Sequence, residues 1–197
     1  MTEISKVRLF TAVELPQRWK GELGRASAEL GTAGGSEIKP VRPELMHLTL
    51  VFLGYQSAAS LSAVEAACIA AASEMPSFRL VLGQVGYFGQ PHRLQVVWVG
   101  LQETPAELQS LHRTIGIHLS ACQIPFDAKP LVPHITLARM RRPSDRSASL
   151  QVHATMQGLT IPSGLSQEVT EFVLMESLLS RSGPEYQVVG RFPLKKA

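Results

Sequence analysis

Cysteine is nearly absent from this chain. Its 197 residues hold two, Cys68 and Cys122, without metal-site spacing and too few for a disulfide framework, so a reducing compartment is expected. No apolar run reaches the roughly 18 residues that a membrane span needs. The start, MTEISKVRLF, lacks the basic stretch, apolar stretch and cleavage site of a secretory signal. The expectation is a cytoplasmic protein with no membrane partner. An excess of charge of one sign is missing too. The 19 Lys and Arg stand against 16 Asp and Glu, and this net +3 permits an anionic ligand without predicting a duplex-coating protein. Aromatic residues are sparse at 6%, which leaves the core mainly to Leu, Val and Ala. Hydrophobic residues nonetheless reach 45%, against 18% charged, which argues against disorder. A chain of this length buries a substantial core without staples.

Periodicity divides the chain into short elements. Alternation over 7–15 reads as a strand stopped by Pro16. Trp19, Leu23, Ala26 and Leu30 mark a helix over 17–30, which the glycine-rich stretch 31–35 is expected to end. A strand over 46–53 closes at Gly54, and an Ala/Leu-rich helix over 60–74 precedes Pro76. Strands over 78–85 and 93–101 flank a turn over 86–91. A helix over 104–122 follows, with Thr104 as N-cap and Pro105 at the first helical position. Strands over 131–140, 168–179 and 186–192 complete the order, the last two joined by Arg181-Ser182-Gly183-Pro184. The stretch 143–158 reads as polar and irregular, with at most a short helix around Leu150.

One local duplication carries the chemistry. His47-Leu48-Thr49-Leu50 recurs 87 residues later as His134-Ile135-Thr136-Leu137. With 10 Thr and 25 Leu in the chain, a given His has Thr at +2 and Leu at +3 with probability about 0.006. Two such matches among six His arise by chance in roughly 6 of 10,000 sequences. A lone His-x-Thr in a strand is ordinarily a half-buried histidine bonded to a neighbour; the matched second copy favours a shared site. On a strand, residues i and i+2 share a face, so each motif presents an imidazole beside a hydroxyl while Leu48, Leu50, Ile135 and Leu137 anchor the other face. Two imidazoles and two hydroxyls around one cleft suit a tetrahedral anion. Imidazole titrates near neutrality, so one ring can take a proton while the other gives one, without a metal.

These residues resemble the two-histidine (2H) phosphoesterase superfamily, and within it the bacterial and archaeal RNA 2′,3′-cyclic phosphodiesterases, historically called 2′-5′ RNA ligases. The resemblance includes Arg8-Leu9-Phe10, Leu15-Pro16, both histidine motifs, Phe52-Leu53-Gly54, Val97-Trp98-Val99-Gly100 and Pro133 to Arg139. Leu174, Ser177, Leu179, Gly183 and Tyr186 continue it, so that it spans about 7–194. The segment Val41-Arg42-Pro43-Glu44-Leu45-Met46 departs from the Trp-containing segment of many relatives. The resemblance implies a single bilobal α+β domain over 1–197, with two mostly antiparallel sheets in a pseudo-two-fold arrangement, flanking helices and a cleft between the lobes. It implies opening of an RNA-terminal 2′,3′-cyclic phosphate to a 2′-phosphate, with no cofactor, by a monomer acting on RNA ends or nucleoside 2′,3′-cyclic phosphates. His134 would be the base, His47 the acid, and Thr49, Thr136 and Arg139 would bind the phosphate. Alternatives are a phosphodiesterase of 2′-5′ oligonucleotides or another small cyclic phosphate, and a non-catalytic RNA-end or nucleotide-binding module.

Strand parity poses a condition for Arg139. Five positions after His134, it faces away from the cleft on a straight strand and reaches the phosphate only if the strand ends or bulges near Ala138. The remaining histidines read as structural or surface residues. His112 and His118 lie off a common helix face, which disfavours a metal pair, and His92 and His153 fall in a turn and an irregular stretch. The basic stretch 139–146 reads equally as a backbone contact or a solvated loop. Tyr87 and Phe88 are candidates for stacking a base, with core packing favoured over it.

Overall fold

The computed structural model describes residues 6–141, 145–180 and 183–196. Among them two antiparallel sheets form. The first holds, in spatial order, β3 (His47–Ser57), β1 (Lys6–Glu14), β8 (Glu171–Ser180) and β9 (Gly183–Pro193). The second holds β2 (Ile38–Pro40), β6 (Ile135–Met140), β5 (Arg93–Leu101), β4 (Phe78–Gln90) and β7 (Ser166–Val169). Without the three-residue β2, the two orders correspond position for position. The motif strand β3 matches β6, each lying beside the strand that precedes it by one helix, β1 or β5.

The helices are exchanged between the sheets. Helix α1 (Gln17–Gly34) leaves the first sheet after β1, yet packs on β2, β6 and α4 (Arg146–Gly158). Helix α3 (Ala106–Ala121) leaves the second sheet after β5, yet packs on β3 and α2 (Leu61–Glu74). Each motif strand is therefore backed by a helix from the other half of the chain. Apolar stripes drive this: Trp19, Leu23 and Leu30 of α1 and Leu108, Leu111, Ile115 and Leu119 of α3 are fully buried. Each such side chain contributes roughly 1.5–3 kcal/mol of burial. The loop before β6 is fastened to β3 as well. The Gln56 amide donates to Leu53 O (2.6 Å) and Pro125 O (2.9 Å), and Asp127 N–H donates to Phe52 O (2.8 Å).

Several elements differ from expectation, each for a local reason. Helix α1 runs on to Gly34, because its glycines serve close packing rather than chain breaking. A Cβ on Gly31 would lie 2.8 Å from Pro40, and one on Gly34 within 2.7 Å of Ile38. Strand β3 passes Gly54, which takes φ +68°, and ends at Ser57. Strand β4 continues through the expected turn to Gln90, since Gly86 makes room for the Trp98 ring across the ladder: a Cβ there would lie 2.3 Å from it. The polar stretch expected to be irregular is helix α4. Asp145 caps it, accepting from Ala148 N–H at 2.9 Å, and Ser149, Val152 and Met156 form its buried stripe. Helix α3 begins at Ala106, one residue past Pro105. The expected strand over 131–140 is ordered as β6 only from Ile135. The expected strand over 168–179 is two strands, because the chain passes from β7 in the second sheet to β8 in the first at Thr170. Arg142, Pro143 and Ser144 of the basic stretch, and Arg181 and Ser182 of the last turn, lie outside the described residues.

Candidate active site

His47 opens β3, and His134 stands one residue before β6. Their surroundings are copies of each other. The Nδ1 of His47 lies 2.8 Å from Leu45 O, and that of His134 lies 2.7 Å from Val132 O, each a carbonyl two residues back. A carbonyl only accepts, so Nδ1 carries the hydrogen in both neutral rings and Nε2 is the unprotonated nitrogen left to work. Each ring also has two aromatic neighbours. Phe10 (4.8 Å between centroids) and Tyr186 (5.1 Å) flank His47, and Phe88 (5.0 Å) and Trp98 (6.2 Å) flank His134. Phe88 thus packs on a site histidine, and Tyr87 meets His153 edge-on at 5.1 Å, both in β4 rather than a turn.

The copying continues along the strands. From His47 to Phe52 and from His134 to Arg139, burial repeats one pattern: half-buried, buried, half-buried, buried, buried, exposed. A β-bulge sits at the same place in each. Leu50 is the extra residue between the pairs Ala12–Thr49 and Thr11–Val51, and Leu137 between Trp98–Thr136 and Val97–Ala138. An extra residue reverses strand parity, so the side chain five positions after each histidine returns to the histidine's face. That satisfies the condition set for Arg139, whose guanidinium lines the cleft and donates to Thr136 Oγ1 at 3.3 Å. It also brings in Phe52, 47% exposed, which the sequence motifs include only as a flanking match to the first histidine. The two halves of the site are alike in their imidazoles and hydroxyls and differ at the residue just past the bulge: an aromatic ring in one, a cation in the other.

His47, Thr49, His134, Thr136 and Arg139 all line one cavity of about 820 Å³. Its wall adds three cations that sequence reasoning did not place, Arg8, Lys39 and Arg42, against one carboxylate, Asp127. No periodic signal marks them, since they come from different elements that only the interlocked sheets bring together. Burial and the Arg139 guanidinium act on the imidazoles in the same direction. Loss of solvent, with further pressure from Arg139, His134 and Lys20, pushes the His47 pKa down to about 4, against the pull of the Leu45 carbonyl. The His134 pKa is lowered less, again by burial first and Arg139 after it, while the Val132 carbonyl works to raise it. Both shifts favour the neutral imidazole.

The remaining histidines are tied elsewhere. His118 Nε2 meets Glu74 at 2.8 Å, linking α3 to α2, and His112 bonds a backbone carbonyl, so the two form no pair. Among the described residues no group of three or more His, Cys, Asp or Glu side chains is placed to hold a metal ion, and no helix is long and apolar enough to cross a membrane.

A family model described as the 2′-5′ RNA ligase superfamily matches residues 23–179. The chain belongs to that superfamily. A Thermus thermophilus relative named RNA 2′,3′-cyclic phosphodiesterase is 33% identical over 199 residues, covering 96% of this chain and 91% of its own length. An Escherichia coli relative of the same name is 31% identical over 192 residues, covering 95% and 96%. Among solved structures, one from Thermus thermophilus superposes with a TM-score of 0.77 at 29% identity, covering 96% of this chain and 98% of that one. Escherichia coli LigT complexed with 3′-AMP does so with a TM-score of 0.74 at 28% identity, covering 98% and 100%. The two antiparallel sheets with flanking helices are thus the α+β architecture of the superfamily, as the resemblance implies.

Proposed function

We propose that the chain is a phosphoric diester hydrolase that opens RNA-terminal 2′,3′-cyclic phosphates to 2′-phosphates, using His47 and His134 as its acid–base pair. The observation that carries this reading is the matched anchoring of the two rings. Each Nδ1–H is held by a carbonyl two residues back, which leaves Nε2 as the basic nitrogen of both rings, and both residues line one cavity with Thr49 and Thr136. The names of the superfamily relatives support the substrate class.

That arrangement supports the following chemistry. Water attacks phosphorus opposite O3′ and passes a proton to one Nε2. The P–O3′ bond breaks, and O3′ takes a proton from the other ring. The hydroxyls of Thr49 and Thr136 donate to the non-bridging oxygens, and the Arg139 guanidinium balances their charge. Both shifts favour the neutral imidazole, so the proton used by the acid is taken up as the phosphate anion arrives and offsets the Arg139 charge. The resemblance makes His134 the base and His47 the acid. Burial holds the His47 pKa far below that of free imidazole, at about 4, so that assignment requires the bound phosphate to favour protonation of His47. Phe52, exposed on the cavity wall, offers a ring to the base of the terminal nucleotide. With a 5′-hydroxyl in place of water, the same displacement of O3′ would join two ends by a 2′-5′ bond, the ligation that the resemblance implies. Water at its own concentration favours hydrolysis.

The test is turnover of a nucleoside 2′,3′-cyclic phosphate by His47→Ala and His134→Ala. Each loses one proton-transfer role and falls at least about 100-fold in kcat, with an unchanged fold. Either variant retaining near-wild-type kcat refutes the pair.

A further inference from the structure

The two bulges leave two carbonyls in need of partners, and the way these are met gives His112 a task. A bulge takes one residue out of the sheet ladder. In β3 that residue is Leu50. Its carbonyl lies 2.9 Å from His112 Nδ1 on α3, and the N–H of the next residue, Val51, donates to the buried Thr11 hydroxyl at 3.1 Å. In β6 the corresponding residue is Leu137. Its carbonyl accepts from Val41 N–H and from the Ser27 hydroxyl of α1, both at 2.8 Å. In both halves, then, a helix contributed by the opposite half sends a side-chain donor to the carbonyl of the bulged leucine. A carbonyl cannot donate, so His112 holds its hydrogen on Nδ1.

We infer that His112 is a positioning residue for substrate selection: by holding Leu50 O it keeps the β3 bulge, and with it the cleft-facing ring of Phe52. His112 lies on α3, outside the residues that line the cleft, and acts through the strand. The two halves are not equally protected. Leu137 O keeps the Val41 N–H if Ser27 is lost, whereas the side-chain donor to Leu50 O is the His112 imidazole. β3 is also an edge strand, with β1 as its one neighbour in the sheet. Removing the His112 donor therefore loosens Phe52 specifically, while His47 and Thr49, ahead of the bulge, remain paired with β1.

This inference rests on the proposed hydrolase reading for its kinetic form, and the experiment separates the two. His112→Leu removes the donor, and His112→Asn places an amide N–H near the position of Nδ1. Two substrates are compared: a nucleoside 2′,3′-cyclic phosphate and a methyl riboside 2′,3′-cyclic phosphate, which has no base for Phe52 to meet. His112→Leu is expected to raise KM for the nucleoside substrate about fivefold, the lower end of what losing a base–aromatic stack costs, with kcat nearly unchanged. The base-free substrate is expected to show no change, and His112→Asn to restore the nucleoside KM. Equal loss on both substrates, or no loss on either, overturns the inference. If the wild-type protein turns over neither substrate, the hydrolase reading has failed, and amide exchange at Val51 and Phe52 decides the positioning role alone. Faster exchange in His112→Leu, reversed in His112→Asn, supports it; unchanged exchange overturns it.

Discussion

Replacing Arg139 by Met tests the bulge, the phosphate contact and the electrostatics of the cleft together. The side chain is exposed and donates to Thr136 Oγ1 at 3.3 Å, so the fold should tolerate its loss. A hydrogen bond from a charged donor is worth a net ~1.5–3 kcal/mol, which corresponds to a fall of about ten- to a hundredfold in kcat/KM. A second effect has a definite sign. The Arg139 charge opposes protonation of both imidazoles, so removing it raises both pKa values, while burial, the larger cause, remains. The acidic limb of the kcat/KM profile reports the ring that must be neutral, and it should move to higher pH in Arg139→Met. Arg139→Lys keeps the charge but loses the planar fork, so it should lower kcat/KM with the acidic limb in place. Initial rates on a nucleoside 2′,3′-cyclic phosphate across the histidine titration range provide the assay. An Arg139→Met profile that overlies the wild type in both height and position would refute the placement of this guanidinium at the phosphate.

Three other perturbations address different parts of the mechanism and fold. An aryl phosphodiester, whose leaving group needs no proton, should largely spare one of His47→Ala and His134→Ala; the spared variant identifies the acid, and equal losses would contradict a division of labour. Folding stability should fall as pH drops from about 6.5 towards 4, because the unfolded chain protonates His47 in that window and the folded chain does not. The loss approaches ~3 kcal/mol at the bottom of the window and should be largely absent in His47→Gln, as read by denaturant titration at several pH values. Gly86→Val would drive a side chain into the Trp98 ring, which neighbours His134. Thermal melts should show a loss of ~1–3 kcal/mol, accompanied by lower kcat.

What was legible in the sequence was what depends on local spacing. His47 and Thr49, and His134 and Thr136, share a face by the two-residue period of a strand, and the apolar residues between them are buried. The same rule read Arg139 correctly as conditional on a bulge. Applied equally to β3, it would have drawn attention to Phe52, five positions after its histidine. Glycine was harder, because one residue type serves opposite ends: Gly31, Gly34 and Gly86 sit inside regular elements to let a proline, an isoleucine and a tryptophan approach. The polar surface of α4 hid a narrow buried stripe. The exchange of α1 and α3 between the sheets, and hence the partners of His112 and Ser27, depends on which apolar faces meet at long range, and no local period encodes that.

The most direct test of the central claim is phosphorus NMR of a nucleoside 2′,3′-cyclic phosphate incubated with the protein in excess EDTA. The cyclic resonance is predicted to give way to the 2′-phosphate alone, at a rate unaffected by the chelator. No conversion, a 3′-phosphate product, or turnover that returns only with added metal would contradict the two-histidine mechanism.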